Sequence, residues 1–284
     1  MRRTVAELTD SLIDYAGTFP PGNLSLVDAL NAYRAMNGKE NEKFVSRFCV
    51  RTTDLAELGN WLREGDEIPV SAIAAPSHDK ESWEDALEAD AKRMNDFMDA
   101  AGDRAEIEAF ETKLYDLSAV ESCVQDLSGF QEAEVFVELP WGAGMDDALN
   151  ALAESGFPGA KARCGGEYTP STAQLAAFIN GCLSLDQPFK LTAGLHEPFF
   201  NGKSHGFLAI GAAVAFELVE ELGEKRLAEA LEADDFEFTD DAINWRGATV
   251  DFNAVEDARG FFVSFGSCSV DDPVKALVKR GLLR

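Results

Sequence analysis

Lysine, arginine and histidine recur in two short segments, Lys161-Ala162-Arg163-Cys164-Gly165-Gly166 and Phe189-Lys190-Leu191-Thr192-Ala193-Gly194-Leu195-His196-Glu197-Pro198. Each segment has the length and apolar content of a buried strand, and side chains along a strand alternate between two faces. Lys161, Arg163 and Gly165 therefore share one face, opposite Ala160, Ala162 and Cys164. Lys190, Thr192, Gly194 and His196 share another, opposite Phe189, Leu191, Ala193 and Leu195. The apolar faces suit packing under helices. The cationic faces must look into a polar space, because an unpaired buried charge is too costly to keep.

Clustered cations disfavour one another's charged forms and burial acts the same way, while Glu138 would push the Lys161 pKa up, so the protonation state depends on which neighbour lies closer. A neutral lysine in a water-poor pocket attacks carbonyl carbons, which is the route to a Schiff base. Arg163 keeps its proton and would hold a carboxylate or phosphate. Glu138, before Pro140, and His196 are the candidates for moving protons. His196 and His205, with Glu138 or Glu197, offer a metal-binding alternative, but the spacing matches no short ligand signature and no metal is assigned. The small residues of Ser264-Phe265-Gly266-Ser267-Cys268-Ser269 leave amides free as an anion nest around Gly266 and Ser267, and Gly165 and Gly166 give the same expectation. Cys268 reads as an ordinary turn cysteine. Asp14 and Arg47 read either as an ion pair at a barrel floor or, for Arg47, as a further substrate contact. Glu111 shares its face with Lys113 and reads as a strand-end residue, structural or facing solvent.

The elements that must position these groups follow from the hydrophobic periodicity. Strands are expected at 12–16, 44–50, 69–75, 107–114, 135–139, 160–163, 189–193 and 260–266. Helices are expected at 1–10, 25–36, 53–64, 81–101, 118–127, 145–155, 171–183, 205–222, 224–233 and 272–280. Eight strand–helix alternations in 284 residues point to one (β/α)8-type barrel over 1–284, with a small excursion around 224–259. The alternative, an open doubly wound sheet, lacks a Gly-x-Gly-x-x-Gly or Gly-Lys-Ser/Thr fingerprint after any early strand, and no cofactor is indicated. Barrel enzymes carry their sites at the C-terminal ends of the strands. A ring of charges alternating in sign is expected there.

The chain carries 25 Lys plus Arg against 51 Asp plus Glu, a net charge of −26. That field opposes nucleic acid and anionic lipid, so neither is an expected partner, and any anionic ligand must be drawn by a local cationic pocket. Five cysteines without Cys-x-x-Cys spacing suit free thiols in a reducing compartment, and no secretory segment follows Met1, so the expected location is the cytoplasm. The longest apolar run, 207–216, is too short to span a bilayer.

Lys161-x-Arg163-Cys164-Gly165-Gly166, Thr192-Ala193-Gly194-Leu195-His196-x-Pro198 and Ser264-Phe265-Gly266-Ser267-Cys268-Ser269 together resemble a set of bacterial hypothetical proteins of unassigned activity. The resemblance covers 161–284 and implies a barrel-like fold without a particular reaction. A looser likeness is to Schiff-base aldolases of the deoxyribose-phosphate type, which carry a strand lysine followed by small residues and glycines, as Lys161 is by Gly165 and Gly166. The leading expectation is lyase or aldolase-like chemistry on a small anionic carbonyl compound, with Lys161 or Lys190 forming the imine. The alternatives are a metal-assisted hydrolase or isomerase and a barrel that only binds an anion.

Overall fold

The computed structural model describes residues 1–166 and 168–283. The strands in chain order are β1 (Ile13–Tyr15), β2 (Val45–Arg51), β3 (Ile68–Ile73), β4 (Ala105–Lys113), β5 (Glu134–Glu138), β6 (Gly159–Arg163), β7 (Phe189–Thr192), β8 (Glu237–Phe238), β9 (Ala242–Trp245), β10 (Ala248–Asp251) and β11 (Phe262–Ser267). Eight of them close into a barrel in the order β1-β11-β7-β6-β5-β4-β3-β2, every neighbour parallel. The remaining three, β8, β9 and β10, form a separate antiparallel sheet.

The outer layer is helical: α1 (Arg3–Thr9), α2 (Leu26–Arg34), α3 (Leu55–Trp61), α4 (Lys80–Ala101), α5 (Val120–Asp126), α6 (Met145–Ser155), α7 (Thr172–Ser184), α8 (Phe207–Glu220), α9 (Gly223–Leu231), α10 (Phe252–Phe261) and α11 (Asp271–Lys279). Local chemistry sets several starts. Ser25 accepts from the Asp28 amide, and Asp79 with Ser82 and Ser171 with Gln174 form reciprocal capping boxes. Phe207 to Phe216 are all buried, because α8 is covered on its outer side by α1, α9 and α10. Its small residues permit that close approach: a Cβ on Gly211 would meet Leu8 at 3.0 Å. No helix among the described residues is long and apolar enough to cross a membrane.

The expected excursion around 224–259 is more regular than its sequence pattern indicates. It holds α9, the three-stranded sheet and α10. Helix α10 runs through Phe261, so the last barrel strand starts at Phe262 rather than at Gly260. Phe236, Phe238 and Trp245 pack together there, and Trp245 meets Phe216 of α8 with ring centroids 5.7 Å apart. The sheet thus covers the apolar helix. Full burial of one such aromatic side chain is worth about 3 kcal/mol.

Register sets what the barrel holds. Glu138 lies beside Lys161, Lys161 beside Lys190, and Lys190 beside Ser264 on successive strands. Interior positions that such barrels ordinarily fill with Val, Ile and Leu carry Asp14, Glu111, Glu138, Lys161 and Lys190, all buried.

Candidate functional site

The interior charges form one connected chain that alternates in sign. Lys190 Nζ lies 2.6 Å from Asp14 Oδ2 and 2.5 Å from Glu111 Oε1. Lys161 Nζ lies 2.8 Å from Glu111 Oε2 and 3.1 Å from Glu138 Oε2. Arg163 Nε donates to Glu138 Oε1 at 3.1 Å. Three carboxylates thus face three cations in the order Asp14, Lys190, Glu111, Lys161, Glu138, Arg163. Two hydroxyls complete the deep end: Ser71 donates to Glu111 at 2.5 Å and Ser264 to Asp14 at 2.6 Å. The Lys190 ammonium also sits 4.9 Å over the Phe136 ring.

Burial grades along this chain. The Lys190 and Asp14 side chains are 1% and 0% exposed, Lys161 is 8% exposed, and Arg163 is 41% exposed. Arg163 therefore marks the mouth, Lys161 lies just beneath it, and Lys190 is sealed inside. A small molecule entering at the C-terminal end reaches Lys161 first.

Both lysines are held as cations, against the effect of clustered positive charge. Burial works to lower the Lys161 pKa, but the Glu111 and Glu138 carboxylates outweigh it and the net shift is upward. Lys190 shifts upward in the same way through Asp14 and Glu111. Burial raises the Glu111 and Glu138 carboxyls, yet their cationic neighbours bring both below the ordinary range. The mutual repulsion of the lysines is real, but each lies against two carboxylates within 3.1 Å.

The other expected site residues are placed as follows. Arg47 is at the opposite end of the barrel, where its guanidinium donates to Glu108 and Glu134 at 2.9 Å each. It meets Asp14 only through its backbone amide, at 3.2 Å. Neither the Asp14–Arg47 side-chain pair nor a mouth position for Arg47 is present, because Arg47 lies early on β2, towards the N-terminal ends of the strands. His196 does not extend the face of Lys190: β7 ends at Thr192, and Ala193 and Gly194 turn the chain at φ 63° and 77°. Its Nδ1 is buried without a hydrogen-bond partner among the described residues. His205 is committed elsewhere, its Nε2 lying 3.1 Å from the Pro170 carbonyl oxygen. Among the described residues no group of three or more His, Cys, Asp or Glu side chains is arranged to hold a metal ion.

The glycines serve loop packing. A Cβ on Gly165 would meet the Gly194 amide nitrogen at 2.8 Å, and one on Gly194 would meet the Cys164 carbonyl oxygen at 2.7 Å. The loops after β6 and β7 therefore touch backbone to backbone beside Arg163. Gly166, at φ 78°, turns the first loop with open space around it. Gly266 faces Thr192, whose Oγ1 a Cβ would meet at 3.0 Å. The Ser267 hydroxyl is used within its own turn, donating to the Ser269 carbonyl oxygen at 2.6 Å. Asp14 and Glu111, expected as floor and strand-end residues and as members of a ring of alternating charges, are central to that chain. The only sequence signal for Glu111 is an acid within a strand-like run; its place beside interior positions comes from the register of Ile73, Glu111 and Phe136 across three strands.

No family model matches the chain, and no curated protein matches it. Solved structures do match, 21 chains in all. Among them is "QR15, an Aldolase", with a TM-score of 0.52 and 13% sequence identity over 96% of this chain and 97% of that one. At that identity the likeness is one of fold: the chain is a (β/α)8 barrel similar in architecture to an aldolase.

Proposed function

We propose that the chain is a lyase with aldolase-like chemistry on a small anionic carbonyl compound, and that Lys161 is the amine that forms the imine. One observation carries this reading: Lys161 stands between two carboxylates at 2.8 and 3.1 Å, directly beneath a half-exposed arginine at the catalytic end of a barrel. Arg163 draws the anionic group and keeps its charge throughout.

The proton balance works with the groups present. The Lys161 ammonium passes one proton to Glu138, and the freed amine pair attacks the carbonyl carbon. The carbonyl oxygen takes the proton back from Glu138 as the C–N bond forms. Glu111 accepts the next proton from the nitrogen and returns it to the hydroxyl, which leaves as water. One proton stays on the resulting iminium. That cation then accepts the electron pair of the Cα–Cβ bond as it breaks to give the enamine. Glu138 takes the proton of the β-hydroxyl, whose oxygen becomes the carbonyl of the released fragment. The same proton, delivered to Cα, restores the iminium, which water hydrolyses to free the amine. The cost lies in the first transfer, because both carboxylates hold the proton on nitrogen in the resting protein. Because that proton moves within the site and is not lost to solvent, imine formation should be insensitive to pH through neutrality.

The same upward shift favours a second reading, a barrel that binds an anion without reacting with it. Borohydride reduction in the presence of short aldehydes and oxo acids separates the two. A mass increment mapped to Lys161 supports the lyase. No increment at Lys161 between about pH 6 and about pH 10 would sink it and leave the binding reading.

A further inference from the structure

Above Lys161 the barrel ends in a layer whose charge the interior network compensates only at Arg163. Cys49 and Arg51 on β2, Glu111 and Lys113 on β4, and Lys161 and Arg163 on β6 each share a strand face. Alternate strands contribute the side chains of one barrel layer, and β2, β4 and β6 alternate around this barrel. The 2.8 Å contact between Glu111 and Lys161 fixes those two as members of one layer. Cys49 is buried in the field of the same Glu111 and Lys161. Two residues further along each strand, Arg51, Lys113 and Arg163 form the next layer, at the C-terminal mouth. Three of its positions are basic in a chain with twice as many acids as bases.

The compensation of this layer is incomplete. Asp14, Glu111 and Glu138 balance Lys190, Lys161 and Arg163 three against three. Lys113 is exposed and pairs with no carboxylate among the described residues. Arg51 reaches Asp54 only at 3.8 Å, with both side chains exposed, and lies 4.4 Å over the Phe19 ring. An exposed pair at that distance neutralises little. The opposite end of the barrel is acidic, where Glu106, Glu108, Glu132 and Glu134 line a depression of about 560 Å³ with Arg47. The unbalanced basic side chains of the barrel strands thus lie at the mouth rather than at this acidic end.

We propose that this layer binds a dianionic phosphate monoester, with Arg51 and Lys113 as its own ligands beside Arg163. The two charges outside the balanced network match the charge of a phosphate monoester near neutrality, about −1.5 to −2. A single carboxylate leaves one of them unmatched. Two strand residues separate the phosphate layer from Lys161, a rise of about 5 Å along the barrel axis. That spacing puts the phosphorus about four bonds from the carbonyl carbon. The carbonyl half of the proposal rests on the lyase reading above; the phosphate half does not.

Calorimetric titration of the full chain with inorganic phosphate at low ionic strength tests it. Arg51→Met and Lys113→Met should each weaken phosphate about tenfold, and the double variant should lose it. Lys39→Met, an exposed control away from the mouth, should leave it unchanged. Phosphate affinity insensitive to both mouth variants, or wild-type protein that binds phosphate no better than acetate, overturns the proposal. Borohydride mapping on the same samples reports separately. Phosphate binding that depends on Lys113 without adducts at Lys161 removes the lyase and keeps the site. Adducts at Lys161 with phosphate binding indifferent to Lys113 do the reverse.

Discussion

At the scale of single residues, the barrel interior is governed by counter-charges contributed from distant parts of the chain. Strand alternation alone was enough to place Lys161, Arg163 and Lys190 on polar faces. It did not supply their partners: Glu111 lies 79 residues before Lys190, and nothing local joins them. The direction of both lysine pKa values turned on which neighbours lie closest, and the carboxylates that decide it sit on other strands. The partners also tie Lys190 to the stability of the barrel interior. Lys190→Met leaves Asp14 and Glu111 buried with one cation fewer, and breaking such a buried pair costs about 3–5 kcal/mol. Urea denaturation should show that loss, and adding Asp14→Asn should recover part of it by removing the stranded charge. A loss below about 1 kcal/mol for Lys190→Met would mean that water or rearrangement already compensates the interior.

At the scale of elements, the alternation of strand and helix was legible because each unit repeats the same apolar period. The exceptions lie in the last third of the chain. Strands β8, β9 and β10 are two to four residues long, too short for a period to register, and acidic side chains interrupt them. Their turn did carry a signal: Arg246 and Gly247 both have positive φ, 47° and 88°, as a tight hairpin requires. The loops at the mouth are determined by close approach, which sequence shows only as glycine. Gly194→Ala combines an unfavourable φ of 77° with a Cβ 2.7 Å from the Cys164 carbonyl oxygen. Gly166→Ala has a similar φ of 78° but open space. The left-handed conformation alone costs about 1–2 kcal/mol. Thermal unfolding should therefore show a drop for both variants and a larger one for Gly194→Ala. Equal drops would mean that the contact between the two loops carries no weight.

At the scale of the whole molecule, a net charge of −26 surrounds a charge-balanced interior, and the two respond to pH in different ways. Acidification relieves repulsion among surface carboxylates while it dismantles the interior chain, so a single stability curve mixes both effects. Comparison with Glu138→Gln separates them, because the surface is common to both proteins. The folded pKa of Glu138 is lowered, so its contribution is complete above the unfolded value of about 4.3 and is lost as pH falls through the folded value. The folded pKa of Lys161 is raised, so its part is complete below about 10.4 and fades only as pH rises through the folded value. The stability difference between wild type and Glu138→Gln should accordingly be flat from about pH 5 to about pH 10 and shrink towards zero below about pH 4. Urea midpoints measured across that range at constant ionic strength provide the test. A difference that persists undiminished into acid would show that Glu138 stabilises the barrel by packing rather than by its charge against Lys161 and Arg163.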